Sequence, residues 1–192
     1  MKQSEIMKRL TDKELRQQVV LTQILLLIGS YILSVFLFEQ PLKWINLFQL
    51  DLKEIFLFGI GTALIILLMD LIIMLIFPIE YYDDGGINKR LFRNITFPSL
   101  LLITLFVAIA EEMLFRGVIQ SSFGYIVAST TFALVHIRYL KKPVLLLSVL
   151  FVSFFIGYIF ELTGNLAVTI TAHFIIDFVL ALFIRLKKRC KH

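Results

Sequence analysis

The chain has almost none of the features that build soluble or disulfide-stapled folds. It contains a single cysteine, Cys190, which excludes an intramolecular disulfide framework and a cysteine-based zinc site. Proline occurs four times, and Pro41, Pro78, Pro98 and Pro143 all fall near the edges of apolar runs, where a missing N–H does least harm. Charge is scarce too: 17% of residues are charged, against roughly 25% in soluble domains. With 59% hydrophobic residues and a mean hydropathy of +0.89, an ordinary soluble fold and a disordered chain are both excluded. The net charge of +5 is no argument for nucleic acid, because the basic residues sit between and around the apolar runs, where they meet anionic lipid and set topology. The composition predicts an all-α polytopic membrane bundle whose surroundings are the lipid bilayer.

A helix needs about 20 mostly apolar residues to cross the hydrocarbon core. Val19–Phe38 meets that requirement without a charge, and Ile55–Ile79 meets it with Asp70 as its one acid. A third span runs from Phe97 through Glu111, Glu112 and Arg116 to about Ser122. The fourth covers Tyr125–Ile137, the fifth Pro143–Phe160 and the sixth Asn165–Ile184. Residues 1–18 are mixed in charge, with apolar positions at near-helical spacing, and read as an amphipathic cytoplasmic segment. No repeat or soluble appendage interrupts the chain, so residues 1–192 form one integral membrane domain.

Six spans with a cytoplasmic N-terminus put sixteen of the nineteen lysines and arginines on the inner side. They come from the N-terminal segment, Lys89–Arg93, Arg138–Lys142 and the chain end, while Lys43 and Lys53 lie outside and Arg116 lies within a span. The positive-inside rule therefore places both termini in the cytoplasm. Lysine prevalence beside phenylalanine, isoleucine and leucine suits a bacterial plasma membrane.

Charges near the bilayer centre cost several kcal/mol and need a partner or a purpose. Asp70, Glu111, Glu112, Arg116, His136, His173 and Asp177 all fall within spans. Glu112 and Arg116 are four apart on one helical face and can pair. Glu111 points ~100° away from that pair, without a partner in the motif, and reads as a working group. His136 ends the fourth span, where an interfacial role is the plainer reading. His173 and Asp177 share a face and can be a carboxylate–imidazole pair, two metal ligands, or a polar contact joining helices. Asp70 is most simply a hydrogen bond to a neighbouring helix.

Depth lets these residues meet. Gly124 is the natural turn between spans three and four, with Glu111 thirteen residues before it and His136 twelve after it. Gly164 is the corresponding turn before span six, with His173 and Asp177 nine and thirteen residues beyond. At 1.5 Å per residue all four lie roughly 14–20 Å below their turns.

Glu111-Glu112-x-x-x-Arg116, Phe132-x-x-x-His136 and His173-x-x-x-Asp177, on successive spans, resemble the motifs of the CPBP intramembrane proteases. These are the CAAX-processing and bacteriocin-processing enzymes, also called the Abi family. The resemblance covers about residues 95–185 and is most specific over Glu111–Gln120. Asp177 departs from the asparagine that many members carry. The resemblance implies peptide-bond hydrolysis within the membrane, on a membrane-associated or prenyl-like protein or peptide. Bacteriocin processing or self-immunity is the setting it suggests. Glu111 would be general base on water, with His136 holding or activating that water. His173 and Asp177 would complete a ligand set or stabilise the oxyanion, and Glu112 and Arg116 would hold the third helix in place. The family's usual description also implies a divalent metal, with Zn²⁺ held by Glu111, His136, His173 and Asp177. The same four residues can activate water without one, and no His-Glu-x-x-His helix is present. The reading from another class is a non-catalytic membrane protein, either a proton-coupled transporter or an immunity-type scaffold. A transporter would show paired inverted repeats, and none is visible.

The topology has a direct check. With Cys190 replaced by serine, single cysteines at positions 2 and 191 should label from the same, cytoplasmic side. Labelling from opposite sides would require an odd number of crossings.

Overall fold

A computed structural model describes residues 10–40, 42–136, 139 and 142–189. Among these residues there are helices and no strands. The long helices are α1 (Asp12–Leu37), α3 (Leu52–Ile76), α6 (Phe97–Phe123), α8 (Pro143–Thr163) and α9 (Leu166–Arg189). Shorter pieces are α2 (Lys43–Leu47), α4 (Ile79–Tyr82), α5 (Ile87–Phe92) and α7 (Tyr125–Val135). Five helices are long and apolar enough to cross a membrane, and α7 is a shorter apolar helix. The expected architecture of about six spans is the one found, in a multi-pass membrane protein. The fourth expected span is the short one. Its helix of 11 residues reaches only about 16 Å at 1.5 Å per residue, and Ile137 lies outside the described residues.

The helix boundaries follow from local chemistry. Thr11 and Glu14 form a capping box at the start of α1, the Thr11 hydroxyl accepting from the Glu14 N–H and the Glu14 carboxylate from the Thr11 N–H. Residues 12–18 are therefore the first turns of the spanning helix, where a separate surface segment had been expected; residues 1–9 of that segment lie outside the described residues. Thr96 caps α6, with Pro98 in its first turn, and Pro143 starts α8. Gly124 (φ +86°) and Gly164 (φ +60°) make the two tight turns anticipated between successive spans.

Contacts between loops sort the chain into two faces. Arg90 pairs with Asp12 at 3.0 Å and also donates to the Leu10 carbonyl. Lys142 donates to the Glu80 carbonyl at 2.8 Å, and Arg185 lies over the Phe97 ring. On the other face, Lys43 donates to the Ser121 carbonyl, and Asn165 bonds both the Gln49 backbone and Glu54. The first face thus gathers Lys13, Arg16, Lys89, Arg90, Lys142 and Arg185, while Lys43 and Lys53 belong to the second. Basic residues segregate within the bundle as the positive-inside argument requires.

The bundle is organised around α9, which packs against α6, α3, α5 and α8. Its apolar neighbours include Ala63, Ile66 and Ile156 around Ile176, and Ile95 and Leu100 around Ala181. Large side chains such as Leu25, Ile28, Leu64 and Leu68 face outward, as a lipid-solvated surface allows. Small polar residues fill the interior: Ser30, Thr62, Thr104, Ser129, Ser153 and Thr169 are all buried, the pattern expected where hydrogen bonds and close backbone approach join helices in lipid. Ser153 and Ser129 each donate to the other's carbonyl, at 3.0 and 3.4 Å.

At Gly157 of α8, a Cβ would stand 2.7 Å from Ser129 Oγ and 2.9 Å from Tyr125 Cε2. Gly157→Leu should therefore push α7 from α8 and cost about 1–3 kcal/mol, read as a lower Tm in detergent. An unchanged Tm would show that the two helices separate freely.

Candidate active site

Five of the six expected site residues lie on α6 and α9, which pack along one another. Glu111 and Glu112 close the α-helical part of α6, and the next eight residues, Met113–Gln120, are π-helical. π-helical segments are rare and concentrate at functional sites. Here the segment lies among α1, α7, α8 and α9, so Phe115, Arg116, Gly117 and Val118 are all buried despite being consecutive. Trp44 of α2 closes over Gly117, whose hypothetical Cβ would meet the indole at 2.8 Å.

Glu112 is fully buried and held from two sides. Its Oε2 lies 3.4 Å from Arg116 Nε, forming the expected pair one turn on, and its Oε1 lies 2.8 Å from His173 Nδ1. A carboxylate only accepts, so Nδ1 carries the proton and the ring's Nε2 is turned toward the remaining acids. Arg116 reaches further, donating from Nη2 to the Ser153 carbonyl at 3.0 Å and lying 5.2 Å from the centre of the Phe132 ring. One buried chain of contacts thus links α9, α6, α7 and α8.

On the far side of His173, Nε2 stands 4.0 Å from Glu111 Oε2 and 3.7 Å from Asp177 Oδ2. The matched depth argued from sequence does bring these three together. Exposure rises across the group: 0% for the Glu112 side chain, 8% for His173, 14% for Glu111 and 35% for Asp177. The site therefore opens at Asp177, which lies one turn beyond His173 toward the more basic face. His136 follows the end of α7, its Nδ1–H donating to the Phe132 carbonyl at 2.8 Å. It stands across Phe132 from His173, with ring centres 4.8 and 6.0 Å from that phenylalanine, and lies within electrostatic reach of Asp177.

Two further polar residues border the cluster. Asp70 of α3 accepts from Ser148 Oγ at 3.2 Å, the inter-helix hydrogen bond expected of it, and interacts electrostatically with Asp177. Gln23 of α1 was missed. It is 5% exposed, and its side chain lies within electrostatic reach of the Glu111 carboxyl. The available signal was an amide in the middle of a span otherwise taken for featureless.

Two ligands sharing a tetrahedral zinc stand roughly 3.4 Å apart, from zinc–ligand distances near 2.0–2.1 Å. The histidine and carboxylate chemistry suits zinc, but the spacings of 4.0 and 3.7 Å around His173 are wider. Among the described residues no three His, Cys, Asp or Glu side chains close into a metal-holding cluster. As they stand, these side chains do not form a zinc coordination sphere.

Residues 93–179 match the family described as type II CAAX prenyl endopeptidase Rce1-like. The chain belongs to this family. All six expected site residues fall inside the matched segment, and the resemblance of the three motifs to the CAAX-processing group is borne out. The chain is also similar to the uncharacterized protein YpbD of Bacillus subtilis (strain 168). The two are 42% identical over 174 residues, covering 90% of this chain and 92% of the other. No solved structure matches it. Gln23 and Asp70 lie outside the family segment.

Breaking a buried ion pair by removing one partner costs about 3–5 kcal/mol. Arg116→Met should accordingly lower abundance and Tm sharply, while Arg116→Met combined with Glu112→Leu recovers part of the loss. If the single variant were as stable as the wild type, the pair would hold nothing together.

Proposed function

We propose that this Rce1-like protein is an intramembrane endopeptidase that hydrolyses a peptide bond of a membrane-associated substrate with water activated by Glu111. The observation that carries the reading is the meeting of Glu111, His173 and Asp177 in front of a buried Glu112–Arg116 support, within a bundle where each such charge is costly. Family membership supports the reaction class, and the name of the matched family supports a prenylated, carboxyl-terminal CAAX-type peptide as substrate. Bacteriocin processing or self-immunity remains a narrower proposal resting on the motifs alone.

In this reading Glu111 takes a proton from water, and the oxygen adds to the scissile carbonyl carbon. The tetrahedral oxyanion is met by Nε2 of His173 and of His136, each of which donates once its ring carries a second proton besides the one on Nδ1; Asp177 contributes a hydrogen bond when protonated. The proton held by Glu111 passes to the leaving nitrogen as the C–N bond breaks, giving a carboxylic acid and an amine, which separate as a carboxylate and an ammonium once the acid proton has moved to the amine. Glu112 acts as a positioning residue, because its bond to Nδ1 fixes which His173 nitrogen faces the reaction. Asp177, the most exposed member, marks the side of entry. With both termini cytoplasmic, that side is the cytoplasmic one, in the plasma membrane. None of these steps requires a metal. Zinc would have to draw on Glu111, His136, His173 and Asp177 after they move closer.

The test is hydrolysis of a fluorogenic prenylated CAAX-type peptide by purified protein. Glu111→Gln should lower turnover about 10²–10⁴-fold, the usual contribution of a general base, with insertion and abundance preserved. Glu111→Gln combined with His173→Ala should cost little more than the worse single change, because groups serving one step are non-additive. Chelator-treated, metal-free protein should keep its turnover; loss restored by zinc alone would put a metal in the mechanism. Full activity in Glu111→Gln would reject the base and the reading with it.

A further inference from the structure

A groove of about 580 Å³ runs between the first turns of α1 and the start of α6. Lys13, Arg16, Val20 and Ile24 line it from α1, at the spacing of a single helical stripe. Thr96, Ser99 and Ile103 line it from α6, with Ile95 just before. Its chemistry is graded along its length. The mouth, at the more basic face, carries an ammonium and a guanidinium; the part lying deeper in the bundle is aliphatic and borders the bilayer, Leu21 and Ile24 being 49% and 41% exposed.

Among the described residues neither cation at the mouth is paired with an acid. The two acids beside Lys13 are already engaged, Asp12 with Arg90 and Glu14 with Thr11. Lys13 itself has no partner among the described residues. Arg16 spends one N–H on the Leu91 carbonyl at 3.4 Å and keeps its charge. Thr96 and Ser99 line the same mouth, bonded to one another as the cap of α6, so they add polar surface and the positive end of that helix's dipole but no free backbone donor at Pro98 or Ser99. A small anion would satisfy the mouth and leave the aliphatic wall uncovered. From Lys13 to Ile24 is eleven residues, or about 16 Å of helix, a length suited to a headgroup and the upper part of an acyl chain.

We infer that this groove seats an anionic phospholipid, its phosphate at Lys13 and Arg16 beside the capped start of α6, and one acyl chain along Val20, Ile24, Ile95 and Ile103. Gln23 is the neighbour of Ile24 on α1 and lies within electrostatic reach of Glu111, so a lipid lodged here lies against the helix that borders the candidate site.

The test uses full-length protein in detergent, titrated with phosphatidylglycerol and with phosphatidylcholine of identical acyl chains. Retention is read by native mass spectrometry and stability by Tm. Phosphatidylglycerol should be retained and raise Tm, and phosphatidylcholine should do neither. Lys13→Gln, at an exposed position, should weaken phosphatidylglycerol binding about fivefold, the equivalent of ~1 kcal/mol per juxtamembrane basic residue. Lys89→Gln, exposed on the same face but outside the groove, should change nothing. Ile103→Trp, which fills the aliphatic half and leaves both cations, should abolish the preference between the two lipids. Equal retention of both lipids by the wild type would overturn the inference. So would equal losses in Lys13→Gln and Lys89→Gln, the mark of a diffuse basic face. A rise in Tm with inorganic phosphate matching that with phosphatidylglycerol would overturn it too, as an ion site without a chain. No readout depends on peptide hydrolysis, so the outcome is independent of the proposed activity.

Discussion

Glu112 is a carboxylate with no exposed surface in a bundle surrounded by hydrocarbon, and much of the site exists to make that tolerable. Arg116 supplies the opposite charge from the next turn, and His173 supplies a directed N–H from another helix. Each of these side chains must in turn be satisfied. Arg116 does so at the Ser153 carbonyl and over Phe132, and His173 does so by facing Glu111 and Asp177. One buried charge therefore dictates which faces of α6, α7, α8 and α9 meet. It also fixes the imidazole tautomer before any substrate arrives. Pre-orienting the ring in this way reduces the reorganisation left to the reaction.

Backbone geometry serves the same end. Consecutive residues Phe115–Val118 cover most of a turn, so burying all of them requires neighbours on every side. The widened π-helical stretch, with Trp44 packed over Gly117, meets that demand. A second π-helical stretch, Ile55–Ile60 in α3, lies against α9, where a Cβ on Gly59 would stand 3.1 Å from the Val168 carbonyl. Both segments thicken one helix where another comes unusually close.

What could be read from the chain was what hydrocarbon enforces. Runs of apolar residues, the two glycine turns and the segregation of Lys and Arg all follow from the cost of placing polar groups in lipid. Hence the helix limits at Ile76 and Phe123 fall within a few residues of expectation. The Glu112–Arg116 pair and the His173–Asp177 face were legible from four-residue spacing. The Glu112–His173 bond was not, because spacing on one helix cannot say which neighbour's side chain will be met. His173 had been considered with Asp177 and Glu111, yet its shortest contact is to the acid assigned a supporting role. Gln23 was overlooked for a related reason: a search for charges in spans passes over an uncharged amide, although an unpartnered amide in lipid is also costly. The short fourth span reflects a compromise at His136, whose ring turns back to accept the role of end-cap for α7 through the Phe132 carbonyl.

Gln23 also bears on how self-sufficient the family segment is. Residues 93–179 hold the acids and histidines, but they do not enclose them. Glu111 points away from the Glu112 pair, toward α1, and the wall it meets there is the Gln23 carboxamide. On the opposite side Asp177 looks toward α3, where Asp70 is held by Ser148. Without α1, Glu111 would face lipid, where an unpartnered carboxylate is costly, and the setting for the base role proposed for it would be lost. The helices outside the matched segment are thus part of the candidate site: they set its polarity, while the motif residues set its geometry.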